Sequence, residues 1–194
     1  MQLANLCFQT NIYFVMKKHL KIMAFLLITT SSIWAQNEEK NEERDYSNNV
    51  NTIDNTVKSL YASISGEKGE DRDWDLFKHL FYPNAKLIPS GKNTDREPQV
   101  TFLKPNDYIK SSGQWLVDNG FFEKEIHRTI NAFGNIAHVF STYESYYSLE
   151  DKKPFMRGIN SIQLFHDGDR WWIVNVYWSQ ETPIHPIPNK YLPK

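Results

Sequence analysis

The sequence predicts an α+β fold: a cone-shaped curved antiparallel sheet packed on three N-terminal helices. Apolar residues recur at helical spacing between Asn51 and Gly120, and the stretch from Phe121 to Trp178 reads as four consecutive β-strands joined by tight turns. The apolar parity of the last strand switches midway, which calls for a β-bulge that curls the sheet.

Several segments precede or follow that fold. Met16 to Lys21 is basic, Ile22 to Ile28 apolar, and Thr29 to Ala35 small and polar, the three parts of a secretory signal peptide. The apolar run is shorter than the roughly 20 residues a bilayer span needs. We expect export to the periplasm or the extracellular space, cleavage after Ala35, and no membrane attachment afterwards. Residues 1–15 fit no part of a signal, so Met16 is an alternative start to Met1. The only cysteine, Cys7, lies in that extension, so a mature chain has no thiol, no disulfide and no cysteine metal site. Without residues 1–35 the 22 basic residues fall to 19 against 23 acidic ones, a balance near −4. That balance gives no electrostatic reason to bind nucleic acid or an anionic membrane. Residues 36–50 are acid-rich and read as a disordered spacer, 51–182 as the folded domain, and 183–194 as a Pro-rich tail laid on its surface.

Within the domain, Ile53, Val57, Leu60, Tyr61 and Ile64 define one amphipathic helix, stopped by Gly66. Asp73 is a good N-cap for a second helix through Trp74, Phe77, Leu80 and Phe81, which ends before Pro83. Ala85 to Ile88 reads as a short strand and Pro89 to Gln99 as loop. A third helix opens at Pro105 and closes at Gly120, with Tyr108, Ile109, Trp115 and Leu116 on its apolar side.

Turn chemistry then sets the sheet register. A two-residue turn at Gly134-Asn135 pairs Ala132 with Ala137, Ile130 with Val139, Arg128 with Ser141 and Ile126 with Tyr143, all facing inward. Glu123, Glu125, His127 and His138 then face outward. A second two-residue turn at Asp167-Gly168 pairs Leu164 with Trp171, Ile162 with Ile173 and Asn160 with Asn175, and the parity switch places a bulge near Val174-Asn175. The Leu149 to Pro154 turn brings Tyr143 near Asn160.

The order of these elements, with the segments Phe133 to Glu144, Arg157 to Leu164 and Arg170 to Val174, resembles the nuclear transport factor 2-like superfamily over roughly residues 51–181. The resemblance is to SnoaL-like and ketosteroid-isomerase-like cones, and to exported bacterial members of unassigned function. It implies a cone that holds a small molecule and that often dimerises through the outer sheet face. Enzymes sharing the fold include polyketide cyclases, scytalone dehydratases and ketosteroid isomerases. The isomerases use an inward carboxylate as base with hydroxyl and acid donors for the developing oxyanion. In the register above no acid faces inward from the four strands, which counts against that chemistry.

The inward face is apolar except for Arg128, Ser141, Tyr143 and Asn160. Polar groups buried there must be satisfied, at a cost of about 2–7 kcal/mol each otherwise. Arg128 suits a ligand carboxylate or phosphate in bidentate geometry, or else a structural ion pair with an acid from a helix or the tail. Tyr143 and Asn160 can orient a carbonyl or hydroxyl, while Tyr61 and Trp178 form apolar wall. Asp75 and His79, on the second helix, are candidate bases at the mouth of the cone, with Tyr143 as donor. Arg157 faces outward toward Glu144 or Tyr146 in a structural pairing. His-Glu-x-x-His and Gly-x-Ser-x-Gly motifs and phosphate-binding Gly-rich loops are missing from the sequence, and the mature histidines lack metal-ligand spacing, so no metal and no cofactor is expected. Phe140, Tyr146, Tyr147, Phe165 and Tyr177 give the outer face an aromatic character that suits a homodimer contact. The leading expectation is an exported small-molecule-binding domain without chemistry of its own. The alternatives are a lyase or isomerase acting on a small cyclic or carbonyl compound, and a structural dimer with a filled cone.

Overall fold

The computed structural model describes residues 44–92 and 97–194. The expected signal peptide, Cys7 and the expected spacer up to residue 43 lie outside the described residues.

The fold starts earlier than the expected boundary at Asn51. A single turn, α1 (Ser47–Val50), buries Val50 in the core, and the Tyr46 hydroxyl donates to Asp73 Oδ1 at 3.2 Å. Residues 45–50 thus belong to the folded unit that runs from Asp45 to Lys194. In α2 (Ile53–Ile64) the Thr52 hydroxyl accepts from the Asn55 N–H at 3.0 Å, a side-chain N-cap, and Val57, Leu60, Tyr61 and Ile64 form the buried face. The connection to α3 (Trp74–Leu80) is held by Arg72, which is only 5% exposed. Its guanidinium donates to the carbonyls of Ile64 (3.1 Å), Gly66 (2.7 Å), Glu70 and Leu116 (2.8 Å), tying this loop to the third long helix. Any side chain at Gly66 would strike that guanidinium. Asp73 caps α3 as expected, accepting from the Leu76 N–H at 2.9 Å.

The expected short strand is instead β1 (Phe81–Lys92), and much of the expected loop pairs with it through β2 (Pro98–Val100). Pro83 fits because the register of β1 against the last strand breaks between Phe81 and Lys86, where a missing N–H costs no ladder bond. Next comes α4 (Pro105–Asn119), entered through Pro105 and closed by Gly120 at φ 73°. A Cβ at Gly120 would lie 2.5 Å from the Tyr147 carbonyl oxygen, so both conformation and space require glycine. Leu116 is buried, whereas Trp115 remains 45% exposed.

Four long strands follow: β3 (Phe122–Phe133), β4 (Ile136–Tyr146), β5 (Met156–His166) and β6 (Trp171–Gln180). The sheet order is β2-β1-β6-β5-β4-β3, open at both edges. Because β1 runs parallel to β6, the sheet is mixed rather than wholly antiparallel, and the third expected helix lies between strands in sequence. The core lies between α2, α3 and α4 and the inner sheet face, where Val139, Tyr143, Ile162, Leu164, Ile173 and Val176 are buried.

Two bulges curl the four long strands. In β6 the register shifts at Val174, so that Leu164 faces Ile173 but Gln163 faces Asn175. This is the bulge the parity switch requires. The β5–β6 connection is longer than a two-residue turn, with His166 opposite Trp171, so Leu164 pairs with Ile173 rather than Trp171, Ile162 with Val176, and Asn160 with Trp178 rather than Asn175. The second bulge, in β3, has no counterpart in the sequence reading. The pairs Ala132 with Ala137, Ile130 with Val139 and Arg128 with Ser141 form as expected, but the register then shifts between Glu125 and His127, and Tyr143 pairs with Glu125, not Ile126. Each bulged residue reverses the faces beyond it. Glu123 and Glu125 therefore turn inward.

The C-terminal tail lies on the outer sheet face. Ile187 is buried there, the Tyr191 ring meets Phe140 at 4.9 Å, and the Tyr191 carbonyl accepts from the Thr142 hydroxyl at 2.7 Å. Arg157 also faces outward, bonded to Glu181 at 2.7 and 3.1 Å and 3.8 Å from Glu144.

Candidate functional site

Between the helices and the concave sheet face lies a cavity of about 220 Å³. At roughly 30 Å³ per water it has room for about seven waters or a small organic molecule. Its wall is apolar and aromatic: Leu60 and Ile64 from α2, Phe77 from α3, Tyr108, Trp115 and Leu116 from α4, with Phe121, Met156, Val176 and Trp178. Its floor carries Glu123, Tyr143 and Asn160. Tyr143 reaches the floor because Gly158 stands opposite it across β4 and β5; a Cβ there would meet the Tyr143 hydroxyl at 2.5 Å.

Glu123 is the ionisable carboxyl of this cavity. One oxygen accepts from Asn160 Nδ2 at 3.1 Å and the other from the Ser145 hydroxyl at 3.3 Å. Burial pushes its pKa from 4.5 up to about 7, against the downward pull of these two hydrogen bonds. Among the described residues no Arg, Lys or His lines the cavity to stabilise the charged form. Tyr143 and Tyr108 have their phenol pKa values raised, first by burial and then by the nearby Glu123 charge. Among the described residues neither hydroxyl has a hydrogen-bond partner, so both are available to a ligand.

A hydrogen-bonded chain leads away from the cavity beneath that floor. Asn160 Nδ2 also donates to the Tyr61 hydroxyl at 3.1 Å, which lies 2.7 Å from the Ser141 hydroxyl. Ser141 donates to Glu125, and Glu125 accepts from Arg128 Nε at 2.7 Å and from Nη2. Arg128 finally reaches Asp54 at 3.1 Å.

The residues singled out from sequence are thus distributed unevenly. Tyr143, Asn160 and Trp178 line the cavity, while Tyr61 and Ser141 are buried behind it. Arg128 is outside the cavity, its guanidinium engaged by Glu125 and Asp54, which is the structural ion-pair alternative. Asp75 is exposed and paired with Lys78 at 2.7 Å. His79 packs beside Tyr46 and Trp172, with Arg170 Nη1 donating to its Nε2 at 2.5 Å. Neither Asp75 nor His79 lines the cavity. Glu123 and Tyr108 are the members sequence reasoning missed as site residues. One signal for an inward acid was present: an inward Arg128 calls for an anionic partner, and the regular register supplied none from the strands.

No protein-family model matches the chain, and comparison with curated proteins finds no match. Solved structures do resemble it. An NTF2-like protein of unknown function from Pseudomonas putida KT2440 superposes with a TM-score of 0.51 at 10% identity, covering 70% of this chain and 90% of its own. LinA gives 0.51 at 8% identity, covering 70% and 91%. A Nostoc punctiforme protein of unknown function, described as having a cystatin-like fold, gives 0.51 at 10% identity, covering 68% and 90%. The domain has the nuclear transport factor 2-like fold. In this fold the helices pack over the concave sheet, and the cavity lies between them. The fold does not assign an activity, which depends on the residues within that cavity.

Proposed function

We propose that this domain is a lyase or isomerase that moves a proton on a small, uncharged carbonyl or cyclic compound. The observation that carries this reading is the floor of the cavity, where the Glu123 carboxyl and the unpartnered Tyr143 hydroxyl face one apolar space. A base must lie within hydrogen-bond reach of the ligand and titrate near the working pH, and Glu123, with its pKa near 7, meets the second condition. Glu123 removes the proton next to a carbonyl, and Tyr143, assisted by Tyr108, donates to the oxygen on which negative charge develops. Asn160 holds the carboxylate in place. The wall supplies apolar contact, and the lack of a basic lining residue among the described residues disfavours an anionic ligand.

A binding domain without chemistry is the reading that follows when no carboxylate faces inward. Glu123 removes its premise.

The test is NMR in D₂O on the folded domain with a panel of small ketones, cyclic enones and β-hydroxy ketones, following α-proton exchange and loss of water. We expect catalysed exchange in at least one class, reduced about 10²- to 10⁴-fold by Glu123→Gln. Tyr143→Phe is expected to cost about 10²-fold. Exchange unaffected by Glu123→Gln would overturn the assignment.

A further inference from the structure

We infer that Glu125 and Arg128, which do not line the cavity, are positioning residues for Glu123: they fix the direction of the hydrogen-bond chain whose far end presents an Asn160 N–H to the Glu123 carboxylate. This rests on Glu123 being the proton-carrying group of the site.

The direction follows from counting hydrogens. A carboxylate only accepts, and a hydroxyl has one hydrogen to give. Ser141 gives its hydrogen to Glu125, so the hydrogen between Ser141 and Tyr61 must come from Tyr61. The Tyr61 oxygen is then left as an acceptor on the Asn160 side, where Asn160 Nδ2 fills it. That choice settles which end of the amide faces the floor, and the second hydrogen of the same nitrogen meets Glu123. Each link is polarised in the same sense, from Asn160 through Tyr61 and Ser141 to Glu125. Arg128 holds the Glu125 end in place.

Glu125→Gln reverses the chain. Arg128 donates to one position of the side chain and so selects the amide oxygen of Gln there, which turns the amide N–H₂ toward Ser141. Ser141 must then accept, its hydrogen turns to Tyr61, and the Tyr61 hydrogen turns to Asn160. Asn160 can receive it only by rotating its carbonyl into place. The N–H that stabilised ionised Glu123 is lost.

The sign of the effect on Glu123 separates this arrangement from plain electrostatics. Removing the negative charge of Glu125 and leaving Arg128 unneutralised would, through space, weaken proton binding at Glu123. Reversal of the chain strengthens it. The experiment is a carboxyl ¹³C NMR titration of the glutamate-labelled domain, with the Glu123 signal assigned by its absence in Glu123→Gln. We expect Glu125→Gln to tighten proton binding at Glu123 about tenfold, and Tyr61→Phe in the same protein to cancel that increase. Unchanged or weakened proton binding in Glu125→Gln, or an increase that survives Tyr61→Phe, overturns the inference. Ser141→Ala alters no charge and interrupts the chain, so it serves where Glu125→Gln fails to fold: tightening of a few-fold supports the chain, and an unmoved midpoint overturns it. The titration reads the floor without turnover, so inactivity toward the ketone panel would count against the proposed reaction and leave this result standing.

Discussion

Glu123 and Glu125 project from the same face of β3, two residues apart, into opposite circumstances. Glu125 meets Arg128 and the Ser141 hydroxyl, and through Arg128 it joins the charge of Asp54 at the rim. Glu123 has the Asn160 amide and the Ser145 hydroxyl and, among the described residues, no cation, within a cavity of aromatic and aliphatic walls. Both side chains are partly buried, and their partners differ. Glu125 is tied into an ion pair, whereas Glu123, its carboxyl buried and left with neutral donors, keeps a proton close at hand near neutral pH. The inner face thus has a structural end and a chemical end, joined by Asn160, Tyr61 and Ser141.

The strongest break of that contrast comes from removing one side of each arrangement. Arg128→Ala leaves Glu125 inside without its cation, and breaking a largely buried pair in this way costs about 3 kcal/mol or more. Glu123→Gln removes a charge that the fold accommodates at a cost, so it is expected to leave stability unchanged or raise it. Urea unfolding of both variants at pH 8 checks this. Equal losses from the two would mean that Glu123 is also a structural charge.

The pH dependence of stability sharpens the same point. The folded-state pKa of Glu123 is raised from 4.5 to about 7, so the folded protein holds this proton more tightly than the unfolded chain. Its contribution is fully present below pH 4.5 and is lost as the pH rises through about 7. The shift corresponds to roughly 3 kcal/mol across that window. Melting temperatures of the wild type and Glu123→Gln from pH 4.5 to 8 should therefore diverge, with the wild type falling relative to the variant as the pH rises. Parallel curves would remove the raised carboxyl.

Sequence reasoning went far with this fold, and for the site it stopped at one residue of β3. The Gly134-Asn135 turn sets the register correctly from Ala132 back to Arg128, because a two-residue hairpin leaves no freedom in the pairing. It fails at Ile126, where an extra residue enters without glycine, proline or a break in the local pattern to announce it. In β6 the apolar run itself changes parity, from Ile173 to Val176, and that bulge is legible. In β3 the alternation of Glu123, Glu125 and His127 imitates an ordinary solvent face. A single bulge then moved both carboxylates inside and with them the chemistry of the site. The parallel pairing of β1 with β6 was hidden for a different reason, since pairing between strands so distant in sequence leaves no local mark on either. Asp75 and His79 were attractive as titratable side chains near the expected cone mouth. One is held by Lys78 at the surface and the other by Arg170 beside Trp172.

The smallest expected effect lies at the rim. Asp54 is 55% exposed and is shared between Lys58, at 2.7 Å, and Arg128. Both neighbours hold its pKa below the usual carboxylate range, the lysine hydrogen bond most of all. Solvent screens such a charge, and exposed pairs contribute about 0–1 kcal/mol. Asp54→Asn should therefore cost less than about 1 kcal/mol in urea unfolding, and the loss should shrink further in 0.5 M salt. Glu125 still engages Arg128 in this variant, so the Glu123 carboxyl titration should stay in place. A shift of that titration would extend the positioning network to Asp54 and move its structural end from the inner face to the surface.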